Sequence, residues 1–300
     1  MTERGRHIAL VGPTGSGKSQ LAMRLARASS DFEIVSVDAM CVYRGMDIGT
    51  AKPTVAERTE VPHHLIDVVD PSDDYTLARF QTDCAAAVRD IEAREKRALL
   101  VGGTGLYVRA AVDGLSVPPQ FPDVREELEA EPDTNALFAR LETLDPPAAA
   151  KMLPNNRRRV VRALEVCIGS GRPFSSFGPG LDSYGPTPFR LVGLWLGRAE
   201  LAVRLEQRFG SMIDAGLVDE ARALADRPGG VSRTARQALG YRQVFEHVEG
   251  GRPLRECVDE AVQATIRFAR RQRVWFRRDP RIAWIGADID QATLVGGQHW

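Results

Sequence analysis

Apolar and polar positions alternate with two different periods along residues 7–112. Short apolar runs over His7–Val11, Glu33–Val37 and Ala98–Val101 predict strands. Longer amphipathic stretches lie between them, and the stretch Leu77–Arg94 is typical of a helix. Strands that alternate with helices indicate a parallel sheet covered by helices on both faces, so we expect an α/β fold.

The pattern breaks in the middle of the chain. Residues 117–188 are rich in proline, and they surround segments with helical periodicity, so we expect an inserted helical subdomain there. The apolar run Phe189–Leu196 then predicts a strand that returns to the sheet, followed by helices over Leu201–Asp214 and Leu254–Phe276. The predicted catalytic core is residues 1–116 and 189–300.

The composition indicates a globular protein, but it does not indicate what the protein binds. The chain has 300 residues, 43% of them hydrophobic, which is enough for one large or two modest domains. Its 40 basic and 40 acidic residues cancel, and its four cysteines lack metal or redox spacing. Residues Met1–Arg6 do not resemble a signal peptide, and no apolar run reaches the roughly 18 residues of a membrane span. We expect a soluble, cytoplasmic monomer with no membrane partner.

A complete P-loop follows the first predicted strand. It consists of Gly12, Pro13, Thr14, Gly15, Ser16, Gly17, Lys18 and Ser19. In such a loop the glycines let successive backbone N–H groups surround a phosphate, Lys18 adds a positive charge, and the Ser19 hydroxyl can ligate Mg²⁺. The helix that starts after the loop contributes the positive end of its dipole. The sequence therefore predicts a phosphate-bearing ligand and Mg²⁺ as cofactor.

The strand that should carry a second metal-holding acid does not have one. In ordinary P-loop ATPases an acidic residue at the end of a later strand helps to hold Mg²⁺. Here Ala98–Val101 is followed by Gly102–Gly105, and the acid at a strand end is Asp38. Because the carboxyl ends of parallel strands line the ligand crevice, we expect Asp38, Thr104 and the P-loop to converge. This arrangement favours group transfer over hydrolysis of a γ-phosphate.

Two clusters of arginine suggest a polyanionic partner. One lies at the start of a predicted helix in the insertion and contains Arg157, Arg158, Arg159 and Arg162. The other lies in the C-terminal helix, where Arg267, Arg270, Arg271, Arg273, Arg277 and Arg278 alternate with Phe268, Trp275 and Phe276. Arginine and aromatic side chains suit RNA, which offers phosphates and base faces. The arginines could also be a solvated helix face, and the aromatics could belong to the core.

Several ordered blocks over nearly the whole chain together resemble one family, the tRNA dimethylallyltransferases (isopentenylpyrophosphate transferases). Besides the P-loop, the matching blocks are residues 36–40, 42–53, 62–67, 70–72, 101–107, 162–166, 204–209, 237–242, 270–272 and 275–277. The run from Gly45 to Pro53 is the most specific block, because nothing general about P-loop folds requires it. The resemblance implies a P-loop NTPase-like parallel sheet flanked by helices.

The resemblance also implies a reaction. The P-loop would bind dimethylallyl diphosphate rather than ATP, and the acceptor would be the exocyclic amine of the adenosine 3′-adjacent to the anticodon, in tRNAs that read codons beginning with U. Asp38 matches the general base, and Thr104 and Arg208 complete the catalytic set. An adenine amine is a poor nucleophile, so a carboxylate must accept its proton. The leaving diphosphate needs preorganised donors, which Lys18, Arg208 and Ser19 with Mg²⁺ would supply.

The family's tRNA contacts can be carried over residue by residue. They match Asp38, Ala39, Met40, Cys41, Thr104, Arg125, Arg158, Arg159, Arg162, Gln237, Gly240, Tyr241 and Arg242. The insertion would then hold the anticodon arm. Ala39 and Cys41 depart from the family pattern, which usually has Ser and often Gln there, and both changes remove hydrogen-bonding capacity beside the target base. For the pair His63–His64 we expect a structural role rather than a metal site.

Three other functions are weighed against this one. An enzyme that prenylates free adenine nucleotides would not need the arginine-rich insertion or the block Gln237–Arg242. A small-molecule kinase would need ATP, and the missing acid after Ala98–Val101 argues against it. A GTPase-like RNA-binding module would need a guanine-recognition motif, which is not found in the sequence.

Overall fold

Six parallel strands form one sheet in the computed structural model, which describes residues 7–286. The strands are β1 His7–Val11, β2 Phe32–Val37, β3 His63–His64, β4 Arg97–Gly102, β5 Phe189–Trp195 and β6 Ala283–Gly286. Their order across the sheet is β3-β2-β4-β1-β5-β6, and every neighbouring pair is parallel. The four strands predicted from apolar runs are confirmed to within one residue at each end, and the α/β class is confirmed with them.

The register of the central strands brings their carboxyl ends level. Val11 at the end of β1 lies opposite Gly102 of β4 and Gly193 of β5. Val37 at the end of β2 also lies opposite Gly102. The chain segments that follow β1, β2 and β4 therefore leave the sheet at the same edge, which is where ligands bind in parallel α/β sheets.

Helices connect the strands and cover both faces of the sheet. In the core they are α1 Lys18–Ala28, α2 Val55–Glu60, α3 Leu77–Ala93 and α4 Gly105–Asp113, and, after the insertion, α9 Arg198–Asp214, α10 Leu217–Ala225, α11 Arg233–Arg236, α12 Tyr241–Val248 and α13 Leu254–Phe276. Alternate residues of β1 point to opposite faces. Leu10 packs in the apolar cluster that contains Leu25 of α1, whereas Ala9 packs in the cluster that contains Phe80 of α3 and Phe276 of α13. Each large apolar side chain buried in this way stabilises the fold by about 1.5–3 kcal/mol.

Residues 115–184 form a second compact unit made of helices. These are α5 Pro122–Ala130, α6 Thr134–Leu144, α7 Pro146–Ala149 and α8 Arg157–Ser170, with a 3-10 helix over Phe174–Phe177. The unit has its own apolar cluster, in which Leu141, Val160 and Leu164 are fully buried. A buried aspartate, Asp145, accepts hydrogen bonds from the Ser175 hydroxyl (2.7 Å) and backbone (2.7 Å) and fixes the segment after α8.

The boundaries of this unit differ by a few residues from the predicted 117–188. The core resumes at Gly185, and hydrogen bonds hold the returning segment to it: the Thr187 hydroxyl donates to the Val112 carbonyl (2.6 Å). The Arg281 guanidinium donates both to the Asp113 carboxylate (2.6 Å) and to the Gly185 carbonyl (2.7 Å). Residues 1–6 and 287–300, which the prediction assigned to the core, lie outside the described residues.

No helix within residues 7–286 combines the length and the apolar character that crossing a lipid bilayer requires.

Candidate active site at the carboxyl edge of the sheet

The P-loop adopts a conformation that its glycines make accessible. Gly15 has φ +79° and Gly17 has φ +91°, both in the region that side-chain-bearing residues rarely adopt. A Cβ added to Gly15 would lie 2.8 Å from Leu205 Cδ2, so the loop packs tightly against α9. The Lys18 ammonium folds back and donates to the Pro13 carbonyl (2.7 Å), which places its charge over the loop.

Three charged side chains interact at this edge. Burial and, to a smaller extent, the positive charge of Arg208 together lower the pKa of Lys18 to about 7, while the negative charge of Asp38 acts in the opposite direction. Burial also lowers the pKa of Arg208, and Asp38 again acts in the opposite direction. The expected convergence of Asp38 with the P-loop is therefore present in the structure, and Arg208 of α9 lies with them. Two cations held partly out of water form a site suited to a polyanion.

Asp38 begins the turn after β2 and is held by that turn. Its Oδ1 atom accepts hydrogen bonds from the backbone N–H of Met40 (2.7 Å) and of Cys41 (3.2 Å). Its Oδ2 atom accepts none from any residue that the structure describes. The carboxylate is thus oriented through one oxygen, which leaves the other oxygen available to accept a proton.

Thr104 follows β4 and precedes α4 as its N-terminal cap residue, yet its hydroxyl makes no capping hydrogen bond. Two backbone approaches fix the position of this turn. A Cβ on Gly102 would lie 2.2 Å from the Val37 carbonyl, and a Cβ on Gly103 would lie 3.1 Å from the Gly12 carbonyl. The turn before Thr104 therefore packs directly against the end of β2 and the first residue of the P-loop.

Gln272 of α13 belongs to this site, and the sequence prediction did not include it. Its side chain is 6% exposed. The Oε1 atom accepts from the Thr14 N–H (2.9 Å), and the Nε2 atom donates to the Gly103 carbonyl (2.7 Å). Two features of the sequence could have indicated it. Gln272 lies in block 270–272, which resembles the tRNA dimethylallyltransferases, and it lies on the helix face that carries core residues.

The specific run Gly45–Pro53 forms a loop that is fastened from two helices. The Glu220 carboxylate of α10 accepts hydrogen bonds from the backbone of Asp47 (3.0 Å) and Ile48 (3.0 Å). The Tyr241 hydroxyl accepts one from Gly49 N–H (3.2 Å) and donates to Glu220. Burial raises the pKa of Tyr241, and the Glu220 charge raises it further, so the hydroxyl keeps its proton.

A buried lysine closes the same loop. Lys52 donates to the Tyr43 carbonyl (2.7 Å) and to the carboxylates of Asp47 (2.5 Å) and Asp67 (2.6 Å). Arg58 also donates to Asp67 (2.5 Å). Although burial alone would raise the pKa of Asp67, the hydrogen bonds from these two cations lower it. Hydrogen bonds with Lys52, Glu220 and Tyr241 therefore hold this loop next to the turn that carries Asp38.

The residues matched to tRNA contacts differ in their exposure. Those whose side chains face solvent in their own unit are Arg158, Arg159, Gln237 and Arg242; those that are half-buried are Asp38, Ala39, Met40, Thr104 and Arg162; and those that are buried are Cys41, Gly240 and Tyr241. The Tyr241 side chain lies in the core, and its hydroxyl bonds to Gly49 and Glu220. Burial likewise raises the pKa of the Cys41 thiol, which points to the Thr50 carbonyl (4.0 Å).

The arginines of the insertion have different partners. Arg157 donates to the carbonyls of Glu129 (3.1 Å) and Glu131, so it holds the segment after α5. Arg162 pairs with Glu165 (2.7 Å) and donates to the Pro118 carbonyl (2.8 Å). Arg125, also matched to tRNA, pairs with Glu129 (2.9 Å). Arg158 and Arg159 are exposed and have no side-chain partner among the described residues.

The C-terminal cluster divides between core and surface. Phe276 is buried, and Arg273 is buried as well: it donates to the Leu196 carbonyl, and its guanidinium lies 4.3 Å from the centre of the Trp195 ring. The remaining arginines, which face solvent, are Arg267, Arg270, Arg271, Arg277 and Arg278. This helix therefore has a core face that includes one arginine and an exposed basic face.

The histidine pair has bonds of its own. The His64 Nε2 atom lies 2.7 Å from the Glu33 carboxylate, and the His63 Nδ1 atom lies 2.7 Å from the Val61 carbonyl. Within residues 7–286, no three His, Cys, Asp or Glu residues are grouped so that they could hold a metal ion. Mg²⁺ would therefore depend on Ser19, which is exposed at the start of α1, together with oxygens of the ligand and water.

Comparison with known proteins identifies the family. Residues 41–279 match the family model described as IPP transferase. A tRNA dimethylallyltransferase of Paenarthrobacter aurescens is 48% identical over 96% of this chain and 94% of its own length. The crystal structure of a tRNA isopentenylpyrophosphate transferase from Bacillus halodurans is similar, with a TM-score of 0.69 and 37% identity over 96% of this chain and 95% of that one.

A further solved structure extends the comparison to eukaryotes. It is a eukaryotic dimethylallyltransferase described as acting on tRNA, with a TM-score of 0.76 and 28% identity over 94% of this chain and 73% of that one. The predicted family is confirmed: the chain belongs to the tRNA dimethylallyltransferases, the IPP transferase family, and is an enzyme of this prenyltransferase class.

Proposed function

We propose that this enzyme transfers the dimethylallyl group of dimethylallyl diphosphate to the exocyclic amine of the adenosine 3′-adjacent to the anticodon. The substrates would be tRNAs that read codons beginning with U, and diphosphate would be released. One observation carries the proposal: Asp38, with an unbonded Oδ2 atom, interacts with Lys18 and Arg208 at the P-loop. A proton acceptor next to a diphosphate cradle is what this transfer requires. We expect the enzyme to act as a monomer in the cytoplasm.

The P-loop, residues 12–19, and Arg208 would hold the diphosphate. Because the pKa of Lys18 is about 7 without a ligand, a bound polyanion would favour its protonated form and gain a full positive charge. Arg208 stays charged and adds a second cation. As the allylic C–O bond breaks, negative charge develops on the leaving oxygen, and these two cations would stabilise it.

Asp38 would act as the general base. The adenosine nitrogen attacks the allylic carbon, the C–O bond to diphosphate breaks, and the proton of the amine passes to Asp38 Oδ2. The hydrogen bonds from Met40 and Cys41 to Oδ1 hold the carboxylate in orientation during this step. The Thr104 hydroxyl, which does not cap α4, would donate to the diphosphate.

The residues at the start of α1 fit a magnesium ion bound mainly through its ligand. Mg²⁺ keeps several waters and often binds through substrate phosphates. This agrees with one exposed hydroxyl, Ser19, and with the lack of any metal-binding group of three His, Cys, Asp or Glu residues in the described part of the chain. When bound, Mg²⁺ would neutralise charge on the diphosphate. In this arrangement Ser19 would be the residue that holds the ion, and Lys18 and Arg208 would supply the protein's own positive charge.

The partner would be the anticodon arm of tRNA. The exposed arginines Arg158 and Arg159 of α8 and the exposed residues Gln237 and Arg242 supply charge and hydrogen-bond donors for it. The similar eukaryotic enzyme is described as acting on tRNA. Moving the target adenine out of the stacked loop costs a few kcal/mol, which new contacts to the protein must offset.

The test is transfer of labelled dimethylallyl diphosphate to unmodified tRNA, with Asp38→Asn beside the wild type. Asn keeps an oxygen that can accept the turn's hydrogen bonds but cannot take a proton, so transfer should fall at least about a hundredfold, the lower end of general-base effects. Asp226→Asn, an exposed change of the same chemistry, should transfer like the wild type. Label appearing in free adenine nucleotides instead of tRNA would contradict the proposal.

A further inference from the structure

The side-chain amide of Gln272 joins two backbone segments of the active site. Its oxygen accepts from Thr14 in the P-loop, and its nitrogen donates to Gly103, the residue before Thr104. We propose that Gln272 is a positioning residue for the transfer reaction, and that it sets the separation between the P-loop and the turn that carries Thr104. This inference rests on the proposed function, in which both segments bind the same diphosphate.

A primary carboxamide fits both partners, because it has a donor at one end and an acceptor at the other. Thr14 presents a donor and Gly103 presents an acceptor, so the linking group must accept at one end and donate at the other. A glutamate anion has two acceptors and would set one oxygen against the Gly103 carbonyl. A leucine would leave both backbone groups without partners in a buried place. A protonated glutamic acid, which again has one donor and one acceptor, would restore the pattern.

The helix that carries Gln272 also packs against the other side of Thr104. Trp275 lies one turn further along α13, on the same face. A Cβ on Gly105 would lie 2.2 Å from Trp275 Cδ1, and a Cβ on Gly103 would lie 2.6 Å from Gln272 Nε2. The turn from Gly103 to Gly105 therefore touches α13 at both ends, which leaves Thr104 no freedom to shift along the helix.

The P-loop end of the link has a direct effect on binding. The Thr14 N–H donates to Gln272, so this N–H helps to orient the P-loop and does not bind a ligand. If the link is lost, the loop and the turn remain connected through their strands and through the contact between Gly103 and Gly12, without a hydrogen bond from Gln272 to either. The diphosphate would then meet donors that are no longer preorganised, and reorganising them weakens both binding and the transition state.

Binding of inorganic pyrophosphate to the full-length chain tests this inference without the transfer reaction. The variants are Gln272→Glu and Gln272→Leu, with Gln263→Glu as the control, since Gln263 is exposed on the same helix. At about pH 8 both Gln272 variants should bind pyrophosphate about tenfold more weakly than the wild type, and Gln263→Glu should bind normally. Transfer to tRNA should fall in kcat as well as in affinity.

The pH profile separates positioning from simple structural damage. As the pH falls from about 8 to about 5.5, a buried glutamic acid with a raised pKa regains its proton. The deficit of Gln272→Glu relative to the wild type should therefore shrink, while that of Gln272→Leu stays constant. Wild-type binding by Gln272→Glu at pH 8, or equal and pH-independent deficits in both variants, would overturn the inference. If the wild type binds pyrophosphate but prenylates no tRNA, the proposed function fails while the binding data still decide the role of Gln272.

Discussion

Tyr241, which is buried, and Glu220, which is half-buried, share a hydrogen bond, and each also binds the backbone of the same loop. The Tyr241 hydroxyl donates to the Glu220 carboxylate and accepts from Gly49, while Glu220 accepts from Asp47 and Ile48. A Cβ on Gly49 would lie 2.4 Å from the Tyr241 ring, so the loop touches the ring itself. The pair therefore holds this loop beside the Asp38 turn.

Replacing Tyr241 with Phe should destabilise the fold. The variant leaves one oxygen of the half-buried Glu220 carboxylate and the Gly49 N–H with fewer partners, which costs about 1–3 kcal/mol in the free energy of unfolding. Urea denaturation measures this loss. Tyr107→Phe is the matched control, because the Tyr107 hydroxyl makes no hydrogen bond to the described residues; equal losses in the two variants would contradict the role given to Tyr241.

Binding of pyrophosphate should weaken as the pH rises above about 7, where Lys18 loses its proton in the free protein. A ligand that favours charged Lys18 raises its pKa, so the complex takes up protons near pH 8, and affinity falls by at most tenfold per pH unit from this group. Calorimetry in buffers of different ionisation enthalpy measures the uptake, after the ionisation of pyrophosphate itself is subtracted. Lys18→Arg keeps its charge and should remove the proton uptake; uptake unchanged in that variant would show that another group titrates.

The same residue also contributes to the pH dependence of stability. In the folded protein without ligand the pKa of Lys18 is lowered to about 7, so between that value and the ordinary pKa of lysine the unfolded chain binds more protons than the folded one. The free energy of unfolding contributed by this group should therefore increase as the pH rises from about 7 to about 10. Denaturation of the wild type and of Lys18→Met at several pH values checks the sign, since the variant should lack this increase.

Gly105→Ala should lower the rate of transfer to tRNA. The added Cβ would meet Trp275 at 2.2 Å, so α4 and Thr104 must move away from α13. We expect at least about a tenfold loss in kcat/KM, because small displacements of a catalytic group are costly. Gly210→Ala, in an open position of α9, should leave activity intact and raise helix stability by up to about 1 kcal/mol. Unchanged activity in Gly105→Ala would show that Thr104 does not need this position.

Single arginine substitutions should separate RNA contacts from structural contacts in α8. Arg158→Ala and Arg159→Ala remove exposed side chains, so each should weaken tRNA binding and lower the slope of log Kd against log salt by about one. Arg157→Ala should instead lower the melting temperature, because this side chain binds the carbonyls of Glu129 and Glu131. Binding titrations at several salt concentrations measure the first effect and thermal melting the second. A salt slope equal to the wild type in both exposed variants would contradict the RNA assignment.

The strands and the P-loop could be predicted because their signals are local. A buried parallel strand is a continuous apolar run, as in β1, and the P-loop has a fixed spacing of glycines before Lys18. Strand β6 was missed, because its four residues, only one of them fully buried, give no period to recognise. The ends of a strand can thus be predicted from the sequence where its residues are buried in a continuous or periodic pattern.

The positions of Gln272 and Tyr241 could not be predicted, because both depend on partners far along the chain. Gln272 bonds to residues more than 160 positions away, and Tyr241 to Gly49, 192 positions away. A polar side chain on a helix gives no sign of whether it faces solvent or a distant backbone group. The resemblance pointed to the block that contains Tyr241. That its hydroxyl binds the loop Gly45–Pro53 follows only from the packing of the fold.

The guanidinium of Arg281 has a consequence for how this fold can vary. It holds Asp113 and Gly185, the points where the chain leaves the sheet domain and returns to it. The gap between these points is therefore set by the core and does not depend on the length of the intervening chain. Residues could be gained or lost between them without disturbing strand register, so the intervening unit can change in size while the sheet domain keeps its own structure.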